Sequence, residues 1–233
     1  MKKKLFTVLF VLLAVVLLTG CEKKEEEQKP EEPVVGGWEL NKEVKATTLM
    51  MEEDDVFKKA TANYTDYTLE PIGYLGSQVV AGTNHMFLCK ATKDGEVTFK
   101  VIVVYEDLSG KAEIKEVRDF KVEDFAGTDM GGNNEEVTGG WAASSQCGES
   151  SLTEEEREMF NSATEKLLGV DYKPVAVLAT QLVSGKNYAI LAVGATVTEN
   201  PVFNIYVVTI YKDLSGNSEV KSVAELDLSY FNE

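Results

Sequence analysis

Residues 77–85 read SQVVAGTNH, and residues 180–188 read TQLVSGKNY. Both stretches contain Gln-x-Val-x-Gly between two apolar runs that favour β-strands. A glycine supplies backbone conformations that other residues resist, so each stretch predicts the tip of a hairpin between two strands. The motif therefore indicates that the chain carries two copies of one hairpin.

The two hairpins belong to a longer repeat that covers most of the chain. The spacing is 103 residues up to the pentapeptides and 106 residues at a later DLSG motif. The second copy has therefore gained three residues, which we place in the turn at 197–202. A period this long is typical of a domain duplication and not of a solenoid. The matched pairs are Gly36-Gly37-Trp38 with Gly139-Gly140-Trp141, Phe57 with Phe160, Ala60 with Ala163, Pro71 with Pro174, and 107–110 with 213–216.

The repeat predicts two domains, 34–127 and 138–233, each long enough for its own core. The linker between them, 128–137, is rich in glycine, asparagine and acidic residues, a composition that favours a flexible spacer.

Each copy begins with one predicted helix. The first helix is expected at 48–62, and the second is expected to start at Thr153, which caps it while Glu156 completes a capping box. The apolar faces are predicted from helical spacing to contain Leu49, Val56, Phe57 and Ala60 in the first helix, and Leu152, Phe160, Ala163, Leu167 and Leu168 in the second.

Strands follow the helix to the end of each copy. In the first copy they are predicted at 71–80, 85–93, 96–105 and 112–122. Asp94-Gly95 predicts a tight hairpin, and the DLSG motif at 107–110 predicts a type I turn in which glycine takes a positive φ. One helix followed by an antiparallel meander predicts an α+β fold, in which a sheet wraps around a single helix.

The first 21 residues form a predicted lipoprotein signal peptide. Three lysines precede an apolar run, and the run ends in a lipobox-like LTGC sequence whose Cys21 would carry the lipid. The alternative is an uncleaved membrane helix, but the apolar run is shorter than the roughly 20 residues that a span needs. Residues 22–33 are charged and predict a disordered tether, so the protein is expected in the cell envelope, outside the cytoplasm.

The chain is strongly acidic, with 39 acidic against 23 basic side chains. Such a surface repels nucleic acid, which we exclude as a partner. Three cysteines do not make a disulfide framework. If Cys21 is lipidated, a bridge between Cys89 and Cys147 is possible but not indicated, and Cys89 is expected to be a small buried hydrophobic residue.

A Gly-Gly segment, a helix, a strand that ends in QVVAG and a hairpin partner strand together resemble a cystatin. Cystatins inhibit papain-like cysteine proteases, and the resemblance extends through each copy and hence almost the whole chain after the tether. It implies tandem cystatin-like domains that dock as a three-part wedge, without cofactor or metal. The target protease could belong to a host, a competitor or the cell itself.

The resemblance also implies which residues contact the protease. The Gly-Gly segment would lie in the non-primed subsites, with Gly37 allowing a turn, and the pentapeptide would lie over the catalytic cysteine. The second hairpin would touch the primed side. The implied contacts are Val35, Gly36, Gly37, Gln78, Val79, Val80, Ala81, Gly82 and Leu108 in the first copy, and Gly139, Gly140, Gln181, Leu182, Val183, Ser184, Gly185 and Leu214 in the second.

Many cystatins place Pro-Trp in the second hairpin, whereas both copies here have Leu-Ser-Gly. Thr138 also stands where the first copy has Val35, so the first copy is expected to be the better inhibitor. Two hypotheses follow: a surface-anchored protease inhibitor, favoured by the pentapeptides, and a non-inhibitory adhesion or binding module, favoured by the missing Pro-Trp.

Other residues receive plainer interpretations. Trp38 and Trp141 are expected to have a structural role at least as readily as a protease contact. His85 is interpreted as an ordinary strand residue, and the acidic runs in the first helical turns as partners of the helix dipole. His85 is the only histidine and is already interpreted as a strand residue, so no further histidine is left to activate a serine nucleophile. We therefore predict that the protein is not an enzyme.

Overall fold

The computed structural model describes residues 36–41, 51–126, 139–144 and 152–229. All of them lie in one compact unit, Pro33–Glu233. The predicted signal peptide with Cys21, the tether, the linker, Cys147 and Leu49 fall outside the described residues. None of the helices in the described ranges has the length and apolar character that crossing a membrane requires.

The described residues form two antiparallel sheets of five strands each, with few helices. The first sheet has the order β1-β2-β3-β4-β5, and the second has the mirrored order β10-β9-β8-β7-β6. The strands of the first sheet are β1 (Trp38–Leu40), β2 (Thr68–Val80), β3 (Gly82–Lys93), β4 (Glu96–Glu106) and β5 (Ala112–Phe120). Those of the second are β6 (Ala142–Ala143), β7 (Val170–Val183), β8 (Gly185–Thr196), β9 (Phe203–Lys212) and β10 (Ser218–Glu225).

The four strands predicted in the first copy are confirmed, with ends that differ by a few residues. The Asp94-Gly95 hairpin is confirmed too, because both residues have positive φ, 52° and 84°, as a type I′ turn requires. In the second copy, residues 197–202 separate β8 from β9, so the predicted insertion lies where the two copies differ in loop length. The short strands β1 and β6 were not predicted.

Three helices are described: α1 (Met51–Thr61), α2 (Glu123–Ala126) and α3 (Glu154–Thr164). The predicted capping box of α3 is confirmed, since the Thr153 hydroxyl accepts from the backbone N–H of Glu156 and the Glu156 carboxylate accepts from the backbone N–H of Thr153. The four-residue α2 was not predicted and follows β5 directly.

One helix packs on the outer face of each sheet. Under α1, Val56 and Phe57 are buried against Phe87, Cys89 and strand residues of β4. Cys89 is fully buried there, as predicted for a small hydrophobic residue.

Under α3, Leu152 and Phe160 are buried and Ala163 packs against them, as predicted. The prediction for Leu168 is wrong, because its side chain is 94% exposed. The helix ends at Thr164, so Leu168 no longer follows the helical spacing from which its burial was predicted.

The inner faces of the two sheets pack against each other. A single apolar cluster contains Leu75, Leu88 and Val101 from the first sheet together with Leu178, Leu191 and Val207 from the second. Trp38 and Trp141 are partly buried against this cluster, so each packs on the core. The core therefore has three layers of apolar contact: helix on sheet, sheet on sheet, and sheet on helix.

Candidate functional site

The predicted site residues gather at one end of each sheet. We call residues 36–37, 78–82 and 107–110 the first tip, and residues 139–140, 181–185 and 213–216 the second tip. Within each tip, three chain segments that are distant in sequence lie side by side, because β1 pairs with β2 and β6 pairs with β7 next to the pentapeptide. Val35 and Thr138 lie outside the described residues.

The pentapeptide of the first tip turns the chain tightly from β2 into β3. Val80 pairs with Gly82 across Ala81, and Gly82 has φ +124°, a conformation that only glycine adopts without strain. A side chain at Gly82 would also collide with the backbone carbonyl of Glu106 in β4. The close approach of the second-hairpin strand to this position therefore requires glycine as well.

The glutamine of the pentapeptide ties two segments together. The Gln78 side-chain amide donates to the carbonyl oxygen of Gly36 at 3.0 Å, and its oxygen accepts from the Asn84 amide at 2.7 Å. The backbone N–H of Gly36 also donates to the Val79 carbonyl. Gln78 thus hydrogen-bonds across the hairpin to Asn84 and also holds the Gly-Gly segment in place.

A tyrosine ties the third segment to the loop. The hydroxyl of Tyr105, near the end of β4, donates to the carbonyl oxygen of Ala81 at 2.5 Å. The following turn is closed by Asp107, whose carboxylate accepts from the backbone N–H groups of Ser109 and Lys111. Hydrogen bonds, above all from the Ser109 hydroxyl, hold the pKa of Asp107 below its usual range. Gly110 takes the predicted positive φ, 80°.

The second tip repeats the side-chain bonds of the glutamine, the asparagine and the tyrosine. Gln181 donates to the Gly139 carbonyl at 2.9 Å and accepts from Asn187 at 2.8 Å. The Tyr211 hydroxyl donates to the Ser184 carbonyl at 2.5 Å. Gly185 has φ +124°, identical to that of Gly82. The turn is closed by the Asp213 carboxylate, which accepts from the backbone N–H groups of Ser215 and Asn217, and Gly216 has φ 91°.

The apolar side chains of both tips face solvent. Leu108 is 89% exposed and Leu214 is 86% exposed at the ends of the second hairpins. In the loops, Leu182 is 73% exposed and Val80 is 39% exposed. Isolated exposed apolar residues are ordinary, but a group of them on a hydrogen-bonded tip is a feature of binding surfaces.

Beside the first tip, a histidine lies between a tyrosine and a glutamate. The Tyr74 hydroxyl and Nδ1 of His85 are 3.1 Å apart, and Nε2 of His85 is 3.3 Å from the Glu106 carboxylate. Burial lowers the pKa of His85, although the Glu106 charge opposes this shift. Burial also raises the pKa of Tyr74 to about 12. His85 lies in β3, as the sequence predicts, and burial favours its neutral form.

Beside the second tip, two lysines stand where the first copy has other residues. Lys212, where the first copy has Glu106, forms an ion pair of 2.7 Å with Glu155 of α3. Lys186, where the first copy has Thr83, lies 4.7 Å from the centre of the Tyr188 ring. In the described ranges, no group of histidine, cysteine or carboxylate side chains is arranged to hold a metal ion.

The structure differs from the implied wedge in one detail and adds residues to it. The positive φ of the Gly-Gly segment, +88°, lies at Gly36, whereas the turn was expected at Gly37. Sequence reasoning missed the asparagine and tyrosine that fasten each tip. Their signal was available, because Asn84 and Asn187 share the 103-residue spacing and Tyr105 and Tyr211 share the 106-residue spacing.

No family model matches the chain, and no curated protein sequence matches it. Each tip carries exposed apolar side chains on segments that internal hydrogen bonds hold together.

Proposed function

We propose that the chain is a reversible inhibitor of papain-like cysteine proteases, made of two cystatin-like α+β domains in tandem. In each domain, one long helix is wrapped by an antiparallel sheet, and the tip of that sheet is the protease-binding wedge. The observation that carries the proposal is the convergence of three segments, the Gly-Gly segment, the pentapeptide and the second hairpin, at one end of each sheet.

The internal hydrogen bonds of the tips support this proposal. Binding costs free energy whenever flexible segments become ordered, at roughly 0.5–1.5 kcal/mol for each immobilised side chain. At the first tip, Gln78 and Tyr105 already hold the Gly-Gly segment and the pentapeptide in place before any partner arrives. The exposed residues are small or short, so little side-chain entropy is lost when they enter a cleft.

The proposal includes a lipid anchor on Cys21, which would hold the inhibitor outside the cytoplasm. Its support is in the sequence: a basic start, a short apolar run and the LTGC motif. The charged residues 22–33 would then separate the compact unit from the membrane surface. Proteases that approach the cell envelope are the partners expected for such a molecule.

A second candidate is a non-inhibitory binding module with the same fold. Leu108 and Leu214 favour it, because each offers less apolar area at the second hairpin than a tryptophan does. Under this alternative, the tips are rigid binding surfaces for another kind of protein.

Papain inhibition separates the two candidates. We would use the protein from Glu22 to Glu233, which keeps the whole compact unit. The variant is the double substitution Ala81→Glu with Ser184→Glu, since both side chains are exposed at the loop centres. Substitution of Gly82 or Gly185 is a poorer choice, because a side chain there disturbs the hairpin itself.

The wild-type protein is expected to inhibit papain, and the double variant is expected to lose at least about a hundredfold in affinity. The matched control is Val223→Glu, an exposed apolar residue midway along β10, which should inhibit like the wild type. A folded wild-type protein that leaves papain and its relatives fully active would replace the inhibitor proposal with the binding-module alternative.

A further inference from the structure

The two sheets pack with their tips at opposite ends of the compact unit. β5 ends at Phe120, at the end of the first sheet that lies away from the first tip, and Ala126 closes the short helix α2 that follows. Its carbonyl oxygen accepts from the hydroxyl of Thr209 at 3.1 Å. Thr209 lies in β9 only three residues before Lys212, which adjoins the second tip. The far end of the first sheet is therefore beside the second tip.

The reciprocal contact is present on the other side. Leu228 follows β10 at the far end of the second sheet. Its side chain lies so close to Gly76 that a Cβ atom there would stand 2.9 Å from the leucine methyl group. Gly76 is two residues before Gln78 of the first tip. Both contacts therefore give the same antiparallel arrangement of the two sheets.

An open pocket where the two sheets meet gives a third indication. Its volume is about 570 Å³, and Trp141 and Ala143, which adjoin the second tip, line it together with Phe99 and Phe120. Phe99 and Phe120 pair with each other at the far end of the first sheet. The packing is thus a pseudo-twofold one, in which the end of each sheet covers the inner face of the other near its tip.

We infer that the chain is a two-ended binder that holds two cysteine proteases at the same time, one on each tip. This inference rests on the proposed function and adds its stoichiometry. β3 and β8 each span 12 residues, so a rise of about 3.3 Å per residue separates the tips by about 40 Å. Two enzymes that approach from opposite ends extend away from each other and do not compete for space.

The size of the partners agrees with this arrangement. A globular enzyme of about 200 residues has a radius of gyration of about 16 Å. Two such enzymes on neighbouring tips of one end would collide, whereas tips about 40 Å apart and facing away leave each cleft free. The exposed tip residues Leu108 and Leu214 are also uncovered by the opposite sheet, at 89% and 86% exposure.

The stoichiometry of the papain complex tests the inference. Sedimentation velocity and native mass spectrometry would be measured with increasing amounts of papain. The wild-type protein is expected to reach one chain with two papain molecules, and Ala81→Glu or Ser184→Glu alone is expected to reach one with one. The Val223→Glu control should keep the complex of one with two.

Saturation of the wild-type protein at one papain would overturn the inference, whether the tips exclude each other or only one of them binds. In the first case each single variant still binds one papain, and in the second case one single variant binds none. Failure of the proposed function looks different, since the wild-type protein would then show no inhibition in the activity assay at any concentration.

The opposite placement of the tips has its own test that needs no protease. Spin labels on Leu108→Cys and Leu214→Cys, in a Cys147→Ser background where Cys89 is buried, report the distance between the tips. The expected separation is about 40 Å, and a value below about 30 Å would mean that the tips face the same end and would overturn the two-ended arrangement.

Discussion

The first and second tips share the hydrogen bonds of their glutamines and tyrosines and differ in their exposed side chains. Gln78 and Gln181 make the same pair of bonds, and Gly82 and Gly185 have the same φ of +124°. By contrast, the largest exposed loop residue is Val80 in one tip and Leu182 in the other. Few other residues could form the hydrogen bonds that hold a tip in shape, so those positions are the same in both copies. Exposed positions can change without loss of the fold.

The charge around the tips differs more than their shape. Next to the first tip lie Thr83, Glu106 and Lys111, which with Asp107 give a formal charge of −1. The matched residues of the second tip are Lys186, Lys212, Asn217 and Asp213. Together with Glu155, which pairs with Lys212, they give a formal charge of 0. The second tip is therefore less negative than the first, in a chain of net charge −16. One scaffold thus presents two surfaces that differ in local charge.

The largest expected effect tests whether the two tips are built alike. Gly82→Ala and Gly185→Ala each place a side chain at φ +124° and against the next strand. Backbone strain alone should lower the free energy of unfolding by about 1–3 kcal/mol in each variant. Urea denaturation measures this loss. A loss in one variant without a similar loss in the other would break the structural equivalence of the tips.

The glutamines should reveal a difference in burial. Gln181 is 7% exposed, whereas Gln78 is only half-buried. Gln181→Ala leaves the Gly139 carbonyl and the buried Asn187 amide without their partner, so we expect a loss of about 1–3 kcal/mol in unfolding free energy. Gln78→Ala leaves an equally buried asparagine, Asn84, but its other partner, Gly36, is exposed to water, so its loss should fall at the lower end of that range. Urea denaturation compares the two, and a costlier Gln78→Ala would contradict the burial argument.

Reversing the charge beside each tip should change the rate of association with a protease, and this effect should be smaller than the two above. Glu106→Lys and Lys212→Glu reverse the charge beside each tip and leave the loops intact. Because exposed charges act mainly on the association rate, we expect changes of a few-fold up to about tenfold at low salt. Stopped-flow binding at two salt concentrations, against an acidic and a basic papain-like protease, checks this. Equal rates for both proteases would show that the charge difference does not select partners.

The smallest expected effect is a pH dependence confined to the first tip. Burial lowers the pKa of His85, so the unfolded chain binds a proton more readily than the folded one. Stability is therefore complete above the unfolded value of about 6.5 and falls as the pH drops from there through the folded pKa.

His85 is the only histidine, so one NMR resonance of the imidazole reports its titration directly. Unfolding measurements between pH 7 and pH 5 on His85→Tyr provide the control, since the second copy has Tyr188 at this position. A midpoint at or above 6.5 for His85 would remove the proposed difference between the tips.

Much of the fold could be predicted from local sequence. The strands of the first copy follow from β-prone runs, and Asp94-Gly95 and Gly110 mark turns that need positive φ. The capping box at Thr153 depends only on residues three positions apart. The pentapeptide glycines could be identified for the same reason, because a backbone position that requires positive φ selects glycine.

Other features depend on contacts that local sequence does not record. Three-residue β1 and two-residue β6 are strands only because β2 and β7 offer them an edge to pair with. Leu168 fits the helical spacing of α3, yet the chain has left the helix before reaching it. The burial of the first and second sheets on both faces could have been predicted. β4 and β9 contain continuous or nearly continuous apolar runs, which are typical of strands covered on two sides.

The sequence by itself determined the duplication, the meander of strands in each copy and the position of each tip. These rest on turn residues, strand propensity and a repeat, all of which act over a few residues. Only the tertiary structure decided that the inner faces of the two sheets share one core and that their tips lie at opposite ends. An apolar sheet face must be covered, but apolar burial has no direction of its own, so the partner and its orientation emerge only when the whole chain packs.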